Sequence, residues 1–217
     1  MNPQSIIAII PARGGSVRLP RKNLLPINGT PLVGLAIKQA LASSYIQRVI
    51  VSTEDDEIAS VSRRYGAEVI KRPTALAQGE TGSVLRVINH ALAHLEKYEG
   101  KKPLVVVLLQ PTSPCRIVED IDQTIKLLLD TGSESAETMC GGKENGAVYV
   151  SRREVHTVQN KVTSERCVYY EMPLERSIDI DTLEDYERAR ATLEGAAPAP
   201  PKQVHKGWPK GVKRSKK

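Results

Sequence analysis

The run Ile6-Ile7-Ala8-Ile9-Ile10 has no polar position to turn toward water. Side chains alternate between the two faces of a strand, so a strand without polar positions must be covered on both. "PLVVVLL", Pro103–Leu109, makes the same demand. A sheet covered on both faces implies helices above and below it, joined by right-handed crossovers. The rest of the chain supplies them. Further strands are expected at Arg48–Ser52, Glu68–Ile70 and Gly146–Val150. Helical spacing marks Leu32–Ser43, Asp55–Tyr65, Ser83–Glu96, Ile117–Leu129 and Leu183–Leu193. Asp55–Tyr65 has acids in its first turn and Arg63-Arg64 in its last, as the helix dipole favours. The fold class is therefore α/β with a mainly parallel sheet. Phe is absent, so Ile, Val, Leu and Ala must build the core.

A chain of 217 residues can bury such a core without disulfides or structural metal. Its three cysteines, Cys115, Cys140 and Cys167, are odd in number and scattered, which suits a reducing compartment. The N-terminus lacks a signal-peptide pattern and no apolar stretch approaches a membrane span, so a cytoplasmic location is expected. The formal net charge of +6 belongs to one end. Seven Lys and Arg and no acid fall after residue 195, which leaves about −1 for residues 1–195. Residues 1–195 read as the folded domain, and its charge does not mark a nucleic-acid binder. Residues 196–217 read as a basic Pro/Ala/Lys tail of disordered composition, suited to an anionic partner.

In sheets of this kind ligands bind beyond the carboxyl ends of the strands. Four cations, Arg13, Arg18, Arg21 and Lys22, crowd the eleven residues after the first strand, with Gly14-Gly15 among them. Glycine lets backbone N–H groups approach a ligand, so strand end, glycine pair and cations together read as a triphosphate cradle. The spacing is neither that of a Walker A loop nor GxGxxG. The alternative is a solvated basic loop. In "SIDIDT", Asp179 and Asp181 are two residues apart, and on extended backbone both carboxylates face one way. Such a pair asks for a cation, and Mg²⁺ (or Mn²⁺) is the usual one beside phosphates. The alternative is that Asp181 begins the capping of the last helix. In "LLQPTSPCR" a buried strand ends in a turn fixed by two prolines, with Gln110, Thr112 and Ser113 placed to reach a ligand, or with Ser113 merely capping.

These segments, with "VSTEDDEIA", Arg72-Pro73 and "NGAVYV", occur together and in order, and together resemble the acylneuraminate cytidylyltransferases, also called CMP-sialic acid synthetases. The resemblance covers roughly residues 6–190. It implies a Rossmann-like three-layer sandwich of the nucleotide-sugar transferase type, and attack of a sugar hydroxyl on the α-phosphate of CTP with release of pyrophosphate. It gives Arg13 and Lys22 phosphate-binding and catalytic roles and Asn23 a contact to cytosine or ribose. Ala12, Gly14, Gly15, Arg18, Arg72 and Ser83 join the nucleotide site, and Gln110, Thr112 and Ser113 the acceptor site. Asp179 and Asp181 become metal ligands, with Asp181 also catalytic. Other readings are a relative with a different acid or phosphonate acceptor, and a nucleotide-binding module without turnover.

Three positions depart from the family pattern. Val17 stands where relatives carry Lys. Gly79–Ser83 replaces an Asp-Thr-Ala-Ser-Ser stretch. Ser133–Asn145 is far shorter than the family's dimer-forming arm and can form only a loop or small hairpin. A monomer or atypical dimer with an open acceptor half-site is the expectation.

Overall fold

The computed structural model describes residues 5–77, 83–195 and 203–205; side chains are described within the first two of these, except that of Ser83. Eight strands form one sheet: β1 (Ile6–Pro11), β4 (Arg48–Thr53), β5 (Glu68–Lys71), β6 (Val105–Leu109), β7 (Ser135–Cys140), β8 (Lys143–Arg152), β9 (Cys167–Glu171) and β10 (Gln203–His205). A two-residue ribbon, β2 (Pro26–Ile27) with β3 (Thr30–Pro31), follows the first loop. The main sheet runs β10-β9-β7-β8-β6-β1-β4-β5. β1, β4, β5 and β6 are parallel to one another, as are β7 and β9, while β8 and β10 run antiparallel to their neighbours.

The alternation expected of β1 is carried out residue by residue. Ile6, Ala8 and Ile10 pack with helices α1 (Leu32–Ala42), α2 (Asp56–Arg64) and α4 (Val118–Thr131) on one face. Ile7 and Ile9 meet Ile88, Ala91, Leu92 and Leu95 of α3 (Ser83–Glu99) on the other. A short helix, α5 (Arg153–Thr157), lies beside α3. The last helix, α6 (Leu183–Gly195), sits over the segment carrying Ile178 and Ile180. This is the three-layer sandwich of the expectation. No helix among the described residues is long and apolar enough to cross a membrane.

Helix ends follow local chemistry. Asp55 caps α2, its carboxylate accepting from the N–H of Ile58 at 2.9 Å. Asp120 accepts from the N–H of Ile117 at 2.9 Å at the start of α4, and Gly132, at φ 65°, ends it.

Two expectations need correction, one at β8 and one in the tail. The strand expected at Gly146–Val150 is the middle of the ten-residue β8, and it runs antiparallel. β7 and β9 carried no expectation. β7 reads Ser-Ala-Glu-Thr-Met-Cys, too polar to look buried, yet Ser135–Met139 are all buried. Ser133–Asn145 takes the hairpin form that the expectation allowed. It is mostly hairpin, turned at Gly141-Gly142 with φ values of 57° and 76°, which suits a two-residue primed turn. In the tail, Gln203–His205 pairs with β9 as an edge strand. Residues 196–202 and 206–217 lie outside the described residues.

Candidate functional site

A cavity of about 770 Å³ opens at the carboxyl ends of β1, β5 and β6. Arg13, Ser16, Val17, Arg18, Lys22 and Asn23 of the first loop form one wall. Arg72, Leu76 and Ala77 come from the loop after β5, with Val84 and Val87 of α3 beside them. Gln110, Thr112, Asp179 and Asp181 complete the other side.

The aspartate segment is extended. Ile178 and Ile180 are buried while Asp179 and Asp181 are exposed in the cavity, so the i, i+2 spacing does put both carboxylates on one side. The backbone is held by the Ile180 N–H, which donates to the carbonyl of Thr112 at 2.8 Å. Helix capping falls to other residues. Thr182 Oγ1 accepts from the N–H of Asp185 at 3.2 Å, and the Asp185 carboxylate accepts from the N–H of Thr182 at 2.9 Å, a reciprocal cap for α6. That leaves the Asp181 carboxylate to the cavity. There Lys22 Nζ and Arg18 Nη1 each approach it at 3.1 Å. Lys22 also donates to the carbonyl of Ile180 at 2.6 Å. The two aspartates titrate in opposite directions. The Lys22 hydrogen bond holds Asp181 below the usual carboxylate range. Asp179 is raised, chiefly because the cavity walls take water from it although its surface is exposed, and secondarily by the charge of Asp181. Thr112 works the other way, with a hydrogen bond to Asp179.

The glycine pair behaves differently from expectation. The N–H of Gly14 donates to Glu54 Oε1 at 2.7 Å, and that of Ser16 to the carbonyl of Gly14 at 3.3 Å. Of the glycine pair, the Gly14 N–H is thus taken by Glu54 and does not serve an anion cradle. Gly14 is required for another reason: a Cβ there would stand 2.4 Å from Asp55 Oδ2. Gly15 meets no such contact, and neither it nor buried Ala12 lines the cavity. Positive charge at this site therefore comes from side chains. Arg21 is not one of them. At φ 56° it turns outward onto Asp55 and Glu57, both at 2.5 Å, and Asp55 is lowered by it. Of the four cations lining the cavity, Arg18 and Lys22 face Asp181 and Arg72 faces Glu54. Arg13 has no acid partner among the described residues.

Arg72 is also differently placed. Its Nε and Nη2 donate to Glu54 Oε2 at 3.0 and 2.9 Å, and its Nη1 to the carbonyl of Ser52 at 3.1 Å. Burial pulls its pKa down and Glu54 opposes the shift. Its guanidinium thus braces the first loop through Glu54. Asn23 is buried and donates to the carbonyl of Arg13 at 2.9 Å. Gln110 and Thr112 line the cavity, but Ser113 is wholly buried and lies behind it. The carbonyls of Gln110 and Ser113 both accept from the buried Arg116 guanidinium, at 2.7 and 3.1 Å, which also reaches the carbonyl of Ala147 on β8. The Ser83 side chain lies outside the described residues, as do residues 79–82 of the second departure. Val17 is 89% exposed at the mouth, where a cation was expected by resemblance.

Reasoning from sequence marked Thr53-Glu54 only as a strand-end loop and gave Glu54 no role. It also missed the buried pair of Arg176 and Asp120, 3.0 Å apart, which joins the start of α4 to the turn before Ser177. A second cavity, of about 460 Å³, adjoins the first through Gln110 and Asp179 and was not foreseen.

Residues 7–199 match a family model described as "Cytidylyltransferase". The N-acylneuraminate cytidylyltransferase of Escherichia coli O18:K1:H7 is 29% identical, the match covering 85% of this chain and 51% of that protein. The CMP-N,N'-diacetyllegionaminic acid synthase of Legionella pneumophila is 38% identical over 58% of this chain and 54% of its own. The chain spans about half the length of the curated relatives it matches. A solved CMP:2-keto-3-deoxy-manno-octonic acid synthetase complexed with CTP superimposes with a TM-score of 0.69 at 18% identity, covering 88% of this chain and 98% of that one, a likeness of fold.

Proposed function

The chain belongs to the cytidylyltransferase family, and from that premise we propose that it transfers CMP from CTP to the hydroxyl of a nonulosonic sugar acid. The observation that carries the reading is the cavity itself: four cations and two same-facing carboxylates line it together, at the strand ends where nucleotides bind. The hydroxyl oxygen forms a bond to the α-phosphorus and gives up its proton. The bond to the β-phosphate oxygen breaks, and pyrophosphate leaves with the electron pair. Such chemistry asks a protein for positioning and charge neutralisation more than for covalent help.

The unpartnered Arg13 meets the triphosphate first. Lys22 and Arg18 then exchange the Asp181 carboxylate for phosphate oxygens, keeping charge-assisted bonds throughout. That exchange bares Asp181 beside Asp179. Two carboxylates on one face, one of them raised by lost hydration, suit Mg²⁺ or Mn²⁺, which take one or two protein carboxylates plus phosphate oxygens. When bound, the ion supplies charge neutralisation at the phosphates. Val84, Val87, Leu76 and Ala77 give the cavity an apolar side for the base, and Asn23 fixes the backbone of Arg13.

The test is pyrophosphate release from CTP with Mg²⁺ and a panel of sugar acids. Release that depends on one of these acids supports the reading. Binding of CTP with no release across the panel makes the chain a nucleotide-binding module.

A further inference from the structure

We propose that Lys143, on the hairpin of β7 and β8, is the residue that reads the carboxylate of the acceptor acid. The inference rests on the cytidylyltransferase reading above. The second cavity shares Gln110 and Asp179 with the first, so whatever occupies it reaches the reacting end of the triphosphate. Its lining includes two acids, Glu144 and Asp179, and one cation, Lys143. An anionic acceptor brought beside those acids and a triphosphate needs a positive partner there. Lys143 has no acid partner among the described residues.

The hairpin is built to fix the backbone that carries that lysine. Cys140 and Lys143 close the two-residue Gly141-Gly142 turn directly opposite each other, and both line the cavity. The N–H of Gly141 donates to Glu171 on β9 at 2.5 Å, tying down the tip. The register shift between Glu137 and Met139 is a bulge, the device that re-aims side chains beside sites. The Asn145 amide is fixed by Thr138 Oγ1 at 2.6 Å and Ser177 Oγ at 2.9 Å. Tyr149 and Leu174 give the pocket an apolar wall, with Leu174 exposed on its rim. Glu144 on the same hairpin repels a second acid group, so the site fits a monocarboxylic sugar acid.

The experiment compares wild type, Lys143→Ala and Lys143→Arg by pyrophosphate release, with the panel acid that wild type uses best and with its neutral carboxamide. A lost charge-assisted bond predicts a KM for the acid raised by about ten- to a hundred-fold in Lys143→Ala. The KM for CTP should stay within twofold, and Lys143→Arg should recover most of the loss. Wild type should handle the carboxamide as poorly as Lys143→Ala handles the acid, and Lys143→Ala should treat both alike. A KM for the acid within twofold of wild type in Lys143→Ala, with turnover intact, overturns the assignment but leaves the cytidylyltransferase reading standing. No release by wild type with any acid overturns both.

Discussion

Glu54→Gln isolates the brace beneath the nucleotide cavity. The Glu54 side chain is 13% exposed and that of Arg72 is 3% exposed, so the pair is nearly dry. Gln keeps one acceptor oxygen for either the Gly14 N–H or Arg72, but removes the negative charge. Arg72 then keeps its buried charge with the Ser52 carbonyl and at most a neutral amide oxygen in place of a carboxylate. Breaking a buried pair by removing one partner costs about 3–5 kcal/mol, and the acceptor oxygen that Gln retains places this case near 3. For a chain of this size each kcal/mol moves Tm by about 2–4 °C, so a fall of about 6–12 °C is expected. The total is smaller than the typical stability of a domain, so the variant still folds. Removing the stranded charge as well, in Glu54→Gln with Arg72→Met, should restore much of the Tm and separate pair loss from local damage. CTP binding should not return in the double variant, because Arg72, a cation lining the cavity, is gone. The assay is thermal melting with and without CTP. A Tm for Glu54→Gln within 1 °C of wild type, with an unchanged CTP-induced shift, would refute the brace.

Arg13→Ala should weaken CTP binding by about tenfold or more, the scale of one charge-assisted phosphate bond, and leave Tm unchanged because Arg13 is exposed and unpaired; a Tm loss with normal CTP affinity would make it structural. Asp181→Asn should abolish most turnover with the fold intact, since α6 is capped by Thr182 and Asp185; full activity in that variant would sink its role at the phosphates. Gly14→Ala should cost about 1–2 kcal/mol through the collision with Asp55, which must release Arg21 or the α2 cap; measurement by denaturant melts, with no loss found, would show that the loop yields freely. Burial holds His156 neutral, with its pKa pulled down from 6.5 to about 4. Between those values the unfolded chain binds a proton that the folded chain refuses, so stability falls as pH drops from about 6.5 to 4, by up to about 3 kcal/mol. A slope unaltered by His156→Gln would show that other groups set it.

The features legible in the sequence are those whose cause is local. An unbroken apolar run can only be a strand covered twice, and β1 splits its isoleucines between two helical layers. Two aspartates separated by one residue share a side because extended backbone alternates, and that needs no knowledge of the fold. Dipole-ordered charges and the position of the cation-rich loop after a strand were readable for the same reason. The tertiary structure decided whatever depends on distant partners. Nothing near Arg21 says that it faces Asp55 and Glu57 instead of the cavity, or that the Gly14 N–H is taken by Glu54. β7 looks polar and is buried because α4, β8 and β9 cover it, and covering is a property of neighbours far along the chain. Nothing local shows that Arg116 and the Arg176–Asp120 pair are buried, because distant segments cover them. The second cavity exists only where the hairpin, the Gln110 turn and the Ser177–Asp179 segment converge, and no local pattern encodes that convergence.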